Sequence, residues 1–417
     1  MPEEKLINRP EYLEKLIKWS ADTTLIKIIT GVRRCGKSKL LDLFKSHLLA
    51  NGTSESQIHK IDLDLLENKW LHEPTALYNH ILNIVQPDKL NYVFLDEVQL
   101  VKDWQEVANS LRSKDNIDLY LTGSNAYMFS SKLGTLLGGR YIEIKMQPLS
   151  FKEFLDGLHP GESITESANL MADFNRYITQ SGFPQTLKYN GDSELIEDYL
   201  LDSVYKNTIT KDIIERYQLR SPEKLSEVIK FLFDNISRET SISSIEKALG
   251  QTVSNDTINK YINGLLDSYL LYACERYDIR GKKILTSLPK YYACDVGLRN
   301  VVLGRKIGDE GHILENIVYL ELIRRGYQVY VGKVGKKMEN GEYKSIEVDF
   351  VATKGSGVVE YYQVSKSTSD ENVLRRELAS LDAIKDSYPK YLLTMDLGGG
   401  NHNGIEHKNI LDWLVAK

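Results

Sequence analysis

Cysteine is scarce in this chain. Cys35, Cys274 and Cys294 are the three in 417 residues, and their spacing makes neither a disulfide framework nor a metal-binding set. Reduced thiols of this kind fit a cytoplasmic setting. No apolar run approaches the roughly 18 residues that a membrane-spanning helix needs, so no membrane partner is expected. The opening Met1-Pro2-Glu3-Glu4-Lys5 lacks the basic-then-apolar order of a secretory leader. An overall basic excess is also missing: the formal net charge is −5, which gives no whole-chain mark of a nucleic-acid binder. Internal repeats and low-complexity tracts are absent too, which sets aside solenoids and disordered linkers.

What is present is an ordinary globular balance, 42% hydrophobic against 27% charged residues, in a chain too long for one core. Two or three domains are expected. Charge is unevenly spread. Residues 238–306 hold 11 Lys and Arg against 7 Asp and Glu, a local surplus compatible with DNA binding on an otherwise acidic chain.

One stretch organises the rest. Leu25-Ile26-Lys27-Ile28-Ile29-Thr30 reads as a buried strand, and Leu40-Leu41-Asp42-Leu43-Phe44 carries apolar residues at helical spacing. Between them lies Gly31-Val32-Arg33-Arg34-Cys35-Gly36-Lys37-Ser38, a G-x-x-x-x-G-K-S loop in the strand–loop–helix context that the motif requires. The glycines allow a tight turn whose N–H groups face inward, at the positive end of a helix, where phosphate oxygens are favoured. The residues expected to cradle a nucleotide are therefore Gly31, Val32, Arg33, Arg34, Cys35, Gly36, Lys37, Ser38 and Lys39. Lys37 can reach the β- and γ-phosphates, and the Ser38 hydroxyl can ligate Mg²⁺.

Further strands alternate with helices: Ile58–Leu63, Tyr92–Asp96, Leu119–Thr122 and Tyr141–Lys145. That alternation predicts a parallel sheet covered on both faces, with ligands at the carboxyl ends of its strands. Asp96 and Glu97 fall at one such end. Asp96 suits a metal, directly or through water, and Glu97 suits the polarisation of an attacking water. Ser124 or Asn125, at the end of the next strand, can hydrogen-bond that water or the γ-phosphate, or cap the following helix. Arg140, after two glycines, is a charge-stabilising candidate, acting in cis or across a subunit boundary, which leaves a homo-oligomer open.

Beyond this core (1–155), residues 156–221 read as helical. Residues 222–306 read as three helices and a hairpin with a basic tip, Arg280, Lys282 and Lys283, a winged-helix order. The third helix offers Asn255, Asn259 and Asn263 on one face, equally suited to adenine edges or to a protein partner. Residues 307–417 read as a closing α/β layer, with Lys333, Lys336 and Lys337 forming a second small basic cluster.

These motifs, in this order, are familiar. The phosphate loop, Leu95-Asp96-Glu97, Thr122-Gly123-Ser124, Leu137-Gly138-Gly139-Arg140-Tyr141, Pro148-Leu149-Ser150-Phe151-Lys152-Glu153-Phe154 and Lys290-Tyr291-Tyr292-Ala293-Cys294-Asp295-Val296-Gly297-Leu298-Arg299 resemble a large family of bacterial and archaeal AAA-type ATPases. The resemblance spans nearly the whole chain. It implies an additional-strand, catalytic-glutamate ATPase core using ATP and Mg²⁺, a winged-helix segment, and a C-terminal domain like restriction endonucleases. Such nucleases use a helix-borne acid, an Asp at a strand end, and Glu/Gln-x-Lys on the next strand. Glu315, Asp349 and Gln363 occupy those places, but the residue two after Gln363 is Ser365. Lys366 comes one position late and faces away on a regular strand. A degenerate, DNA-binding domain is the leading expectation. Three functions follow: an ATP-hydrolysing switch or motor acting on DNA or a DNA-associated partner, an ATP-gated endonuclease, or a non-hydrolysing nucleotide sensor.

Overall fold

The computed structural model describes residues 6–124, 137–161, 169–219, 221–304, 309–337, 343–355 and 357–416, except for the side chains of 336, 337, 343 and 344. The chain forms two compact units. The first is Met1–Pro148 with Phe183–Gln185 and Asp267–Tyr269; the second is Leu149–Gly182, Thr186–Leu266 and Leu270–Lys417.

The first unit is a five-stranded sheet of β1 (Ile26–Thr30), β2 (Ile58–Asp62), β3 (Asn91–Asp96), β4 (Ile117–Thr122) and β5 (Tyr141–Lys145), in the order β2-β3-β4-β1-β5. Every pairing is parallel. β1, β3 and β4 are buried at every position, as the central strands of a doubly covered sheet must be. One face packs Ile26, Ile28, Val93, Leu95, Leu119 and Leu121 against α3 (Pro74–Ile84) and α4 (Trp104–Arg112). The other face carries Phe94 and Tyr120 against Phe44 of α2 (Lys37–Ala50), with ring centroids 5.8 and 5.0 Å apart.

That second face also holds a charge in its interior. Lys27 on β1 and Asp118 on β4 form a fully buried ion pair, and Asp118 accepts further bonds from Tyr120 Oη and Ala21 N, both at 2.8 Å. Burial raises the Asp118 carboxyl above its ordinary range, with Lys27 opposing the shift. The lysine inside an otherwise apolar strand is thus matched on the neighbouring strand. Unpaired, either charge would cost several kcal/mol.

The second unit is built on an eight-stranded mixed sheet of β6 (Leu271–Asp278), β7 (Lys283–Ala293), β8 (Gln328–Lys337), β9 (Tyr343–Lys354), β10 (Val358–Val364), β11 (Lys390–Thr394), β12 (Gly400–His402) and β13 (Ile405–Asn409). Its order is β12-β13-β11-β10-β9-β8-β6-β7. The strands expected to form a wing, β6 and β7, make one edge of this sheet instead. β6 pairs in parallel with β8, placing Arg276, Tyr277 and Asp278 beside Val331, Gly332 and Lys333. The three preceding helices are present at Pro222–Asp234, Ile242–Ala248 and Asn255–Asp267. Upstream, residues 193–217 form a helical run with two π-helical stretches, Tyr199–Lys206 and Thr208–Ile214.

The Lys290–Arg299 motif turns out to be a set of fasteners. Tyr292 stacks on Tyr319 at 4.1 Å. Ala293 N donates to Asn316 Oδ1 at 2.8 Å, and Asn316 Nδ2 returns a bond to Ala293 O at 2.9 Å. Asp295 caps the helix Val296–Leu303 by accepting from Leu298 N at 2.7 Å, and it also accepts from Gly182 N at 2.8 Å. Gly297 has to be glycine, since a Cβ there would come 2.5 Å from the Ser181 backbone. Arg299, fully buried, donates to Phe233 O at 2.7 Å and pairs with Asp309.

Candidate nucleotide-binding site

The loop after β1 has the strained backbone that phosphate loops need. Gly31 and Gly36 lie at φ +142° and +104°, and a Cβ on Gly31 would sit 2.0 Å from Met146 O. Arg34 also takes a left-handed conformation, at φ 68°. Behind the loop stands a residue that sequence reading passed over. Arg9, 3% exposed, donates to Cys35 O at 3.0 Å and to Gln147 O at 2.7 Å, tying the loop to the exit of β5. Its guanidinium lies 4.9 Å from the Tyr12 ring, whose hydroxyl accepts from Gln147 N at 3.2 Å. An arginine ahead of a proline at a helix start carries no signal of this role.

Lys37 is buried, and its ammonium donates to Gly31 O at 3.0 Å and Val32 O at 3.2 Å. Val32 and Cys35 are fully buried, Arg33 and Ser38 are half-buried, and Arg34 and Lys39 are exposed. The Cys35 thiol is pushed up by burial, so it is an inert wall of the loop rather than a nucleophile.

At the ends of β2, β3 and β4 the acids and hydroxyls converge. Asp96 is 1% exposed and accepts a hydrogen bond from Thr122 Oγ1, which in turn accepts from Glu97 N at 3.0 Å. Asp62 is the strand partner of Asp96, and its carboxyl is raised first by burial and further by the Asp96 charge. Two carboxylates that repel one another at strand ends, with the Ser38 hydroxyl at the start of α2, are hard oxygen donors of the kind that suit Mg²⁺. Among the described residues, Ser124 Oγ is buried without a hydrogen-bond partner, at the position expected for a group that meets a terminal phosphate or its water. Asn125 lies outside the described residues.

Glu97 adopts φ 56°, a left-handed conformation that is unusual for a glutamate and swings its side chain off the strand direction. Gln99 Nε2 donates to its carboxylate, while Gln99 Oε1 is buried with no partner among the described residues. The amide orientation follows from chemistry, because a carboxylate accepts only. Neither Thr122 nor Gln99 was singled out for this role from sequence; both become visible only when Asp96 and Glu97 are placed.

Arg140 lies at the other end of the sheet. It immediately precedes β5, whose first residue pairs with Ile26 at the start of β1, and Arg140 O accepts from Ile26 N at 3.0 Å. Because β5 runs parallel to β1, Arg140 sits at the amino end of the sheet, about 16 Å of strand from the phosphate loop. Its side chain is exposed. Strand direction sets Arg140 apart from its own loop.

In the second unit, Glu315 of the helix Glu310–Arg324 and Asp349 of β9 are brought together, but around a lysine. Lys290 Nζ lies 2.9 Å from Glu315 and 2.7 Å from Glu347, and Tyr292 Oη donates to Glu315 at 2.9 Å. Burial and the Glu315 charge hold the Asp349 carboxyl well above its usual range. Burial would also raise Glu347, but Lys290 and Arg276 more than offset this and leave it lowered. Gln363 turns its amide to Glu377 at 2.9 Å and accepts from Ser380 at 3.0 Å. Lys366 points to the surface, paired with Glu310. Among the described residues no group of three or more His, Cys, Asp or Glu is placed to hold a metal ion. A buried ammonium sits among the acids expected to hold one. The side chains of Lys336 and Lys337 lie outside the described part.

This arrangement defines an AAA-type P-loop nucleotide-binding core joined to a mixed-sheet domain. Residues 23–155 match the family model of the AAA domain, and residues 171–307 match a domain of unknown function (DUF8612) that spans both the helical and the three-helix segments. An uncharacterized Haemophilus influenzae protein is 35% identical over 416 residues, covering 98% of this chain and 99% of that one. The chain and that protein belong to one family, and in this chain residues 23–155 are its AAA domain. An uncharacterized Methanocaldococcus jannaschii protein is 29% identical over 377 residues, 87% of this chain and 79% of that one. Among solved structures, AMPPCP-bound DnaA from Aquifex aeolicus aligns at TM-score 0.31 and 14% identity, over 61% of this chain and 86% of that one. A DNA polymerase III gamma subunit-related protein from Thermotoga maritima aligns at TM-score 0.29 and 11% identity, over 62% of this chain and 99% of that one. Likeness at that level bears on nothing further. Among the described residues no helix is long and apolar enough to cross a membrane.

Proposed function

We propose that the protein is a Mg²⁺-dependent ATPase, a nucleotide-driven switch or motor that acts on DNA or a DNA-associated partner. The observation that carries this reading is the convergence, at the carboxyl ends of β1, β3 and β4, of the Gly31–Ser38 loop, the Asp96–Thr122 pair and the unpartnered Ser124 hydroxyl. On this reading the loop N–H groups and the Lys37 ammonium bind the triphosphate, Lys37 exchanging its two carbonyl partners for phosphate oxygens. Ser38 and Asp96 would hold Mg²⁺, which supplies positive charge opposite the phosphates. Glu97, steadied by Gln99, accepts the proton of the attacking water, and Ser124 donates to the terminal phosphate. Arg140, remote from its own loop, serves a neighbouring copy in a homo-oligomer.

The DNA partner rests on the local basic surplus of residues 238–306 and on the three-helix order within it. An endonuclease is disfavoured by the outward Lys366 and by the ammonium of Lys290 among the acids. Steady-state Mg-ATP turnover tests the proposal. Wild type turns over, Lys37→Ala does not, and Glu97→Gln keeps nucleotide binding while losing on the order of 10²–10⁴ in rate. Wild type that binds ATP tightly without hydrolysing it would leave the sensor reading in its place.

A further inference from the structure

The sequence carries two basic clusters about fifty residues apart, one around Arg280 and one around Lys333. The sheet joins them. β6 and β8 run side by side with Asp278 opposite Lys333, and Ile279 N donates to Lys333 O at 3.0 Å. The β6–β7 turn therefore lies beside the middle of β8, where an open cleft of about 410 Å³ is lined by Asp278, Arg280, Gly281, Leu285, Lys333, Gly335 and Ser345. Lys282 and Lys283 are exposed on the same turn.

Among the described residues none of Arg280, Lys282, Lys283 and Lys333 takes part in an ion pair. Asp278, the one acid in the lining, is occupied in holding the turn: its Oδ1 accepts from Arg280 N at 3.1 Å and Gly281 N at 3.0 Å. Glu347, the antiparallel partner of Lys333, is committed to Arg276 and Lys290. What the cleft and its turn present is a guanidinium, ammonium groups, a hydroxyl and glycine backbone beside the Leu285 side chain.

We propose that this cleft docks the phosphodiester backbone of double-stranded DNA. Its donors match oxygens that only accept. An extended peptide would present N–H groups as well, and the single carboxylate is already engaged. No aromatic side chain lines the cleft among the described residues, so none of them offers the stacking platform that a single strand would use. Tyr277 and Tyr330 pack on each other instead, with centroids 5.6 Å apart. Binding here reads phosphates, and so is independent of base sequence. The inference rests on the DNA arm of the proposed function and not on hydrolysis.

The test is fluorescence anisotropy of a labelled 30-base-pair duplex with the full chain across a salt series. Wild type binds, with log K falling steeply against log salt. Arg280→Glu/Lys333→Glu weakens binding at least tenfold and reduces the slope by about 2, since each phosphate contact contributes roughly 0.9. Arg280→Gln/Lys333→Gln gives a smaller loss in the same direction. Arg375→Glu/Lys385→Glu, the same charge change at two exposed positions, one on the helix Glu371–Asp382 and one just after it, stays within about twofold of wild type. Equal weakening by that control reduces the effect to net charge and overturns the assignment. So does an unchanged cleft variant, or a wild type that ignores the duplex at low salt. Displacement of the duplex by inorganic phosphate at matched ionic strength would mark a small-anion site and overturn it too. DNA-free Mg-ATP turnover, measured on the same proteins, stays at the wild-type value in the cleft variants. A wild type without turnover would sink the ATPase reading and leave the docking result standing.

Discussion

Single side chains decide whether the nucleotide core can do chemistry. Glu97 is held at both ends: its N–H bonds to Thr122, which also grips Asp96, and its carboxylate accepts from Gln99. A hydrogen bond to a charged group is worth about 1.5–3 kcal/mol, so Gln99→Ala should lower kcat roughly tenfold to a hundredfold while leaving the KM for ATP near the wild-type value. Gln99→Glu, placing a second negative charge beside Glu97, should move the acidic limb of the pH–rate profile upward. An unchanged pH profile in both variants would show that Gln99 is merely structural. The phosphate loop and the strand-end positions of Asp96, Glu97 and Ser124 were legible in the sequence, because short-range spacing around a strand and a helix is enough to place them. Gln99, Thr122 and Arg9 were not, because their roles depend on hydrogen bonds made after the chain has folded back. Lys290 shows the same limit. It lies in a recognisable motif, yet its place among Glu315, Glu347 and Asp349 draws on three separate elements.

Strands and their neighbours carry the next set of consequences. All five strands of the parallel sheet were readable, β1, β3 and β4 as apolar runs and β2 and β5 as mixed apolar and polar stretches. Their direction and order were needed to see that Arg140 lies just before β5, at the end of the sheet remote from Gly31. The β6–β7 hairpin was readable as a hairpin, but its membership in the eight-stranded sheet depends on pairing with β8 some fifty residues later. β12 and β13 were missed altogether, being three and five residues long and set in a glycine-rich stretch. The Lys27–Asp118 pair links β1, which leads into the phosphate loop, to β4, which leads to Ser124. Lys27→Met leaves Asp118 buried and unpaired, and should cost roughly 3–5 kcal/mol, read as a lowered denaturant midpoint. Lys27→Met/Asp118→Leu should be less destabilised than the single variant. The reverse order of stabilities would mean that the pair contributes little.

For the whole molecule, the issue is whether one chain suffices. On the proposed reading Arg140, remote from its own loop, serves a neighbouring copy, and a second copy then completes each site. Lys37→Ala and Arg140→Ala should each lack turnover alone, and mixing them should restore a measurable fraction, because some sites then combine an intact loop with an intact arginine. No recovery on mixing, under conditions where the copies exchange, would remove the shared-site arrangement. The most direct measurement is a crystal structure of Glu97→Gln with ATP and Mg²⁺. It should show Lys37 released from the Gly31 and Val32 carbonyls onto the triphosphate, the Ser124 hydroxyl on the terminal phosphate, and the metal between Ser38 and Asp96. A triphosphate bound elsewhere, or Lys37 still folded onto its own loop, would contradict the account at its centre.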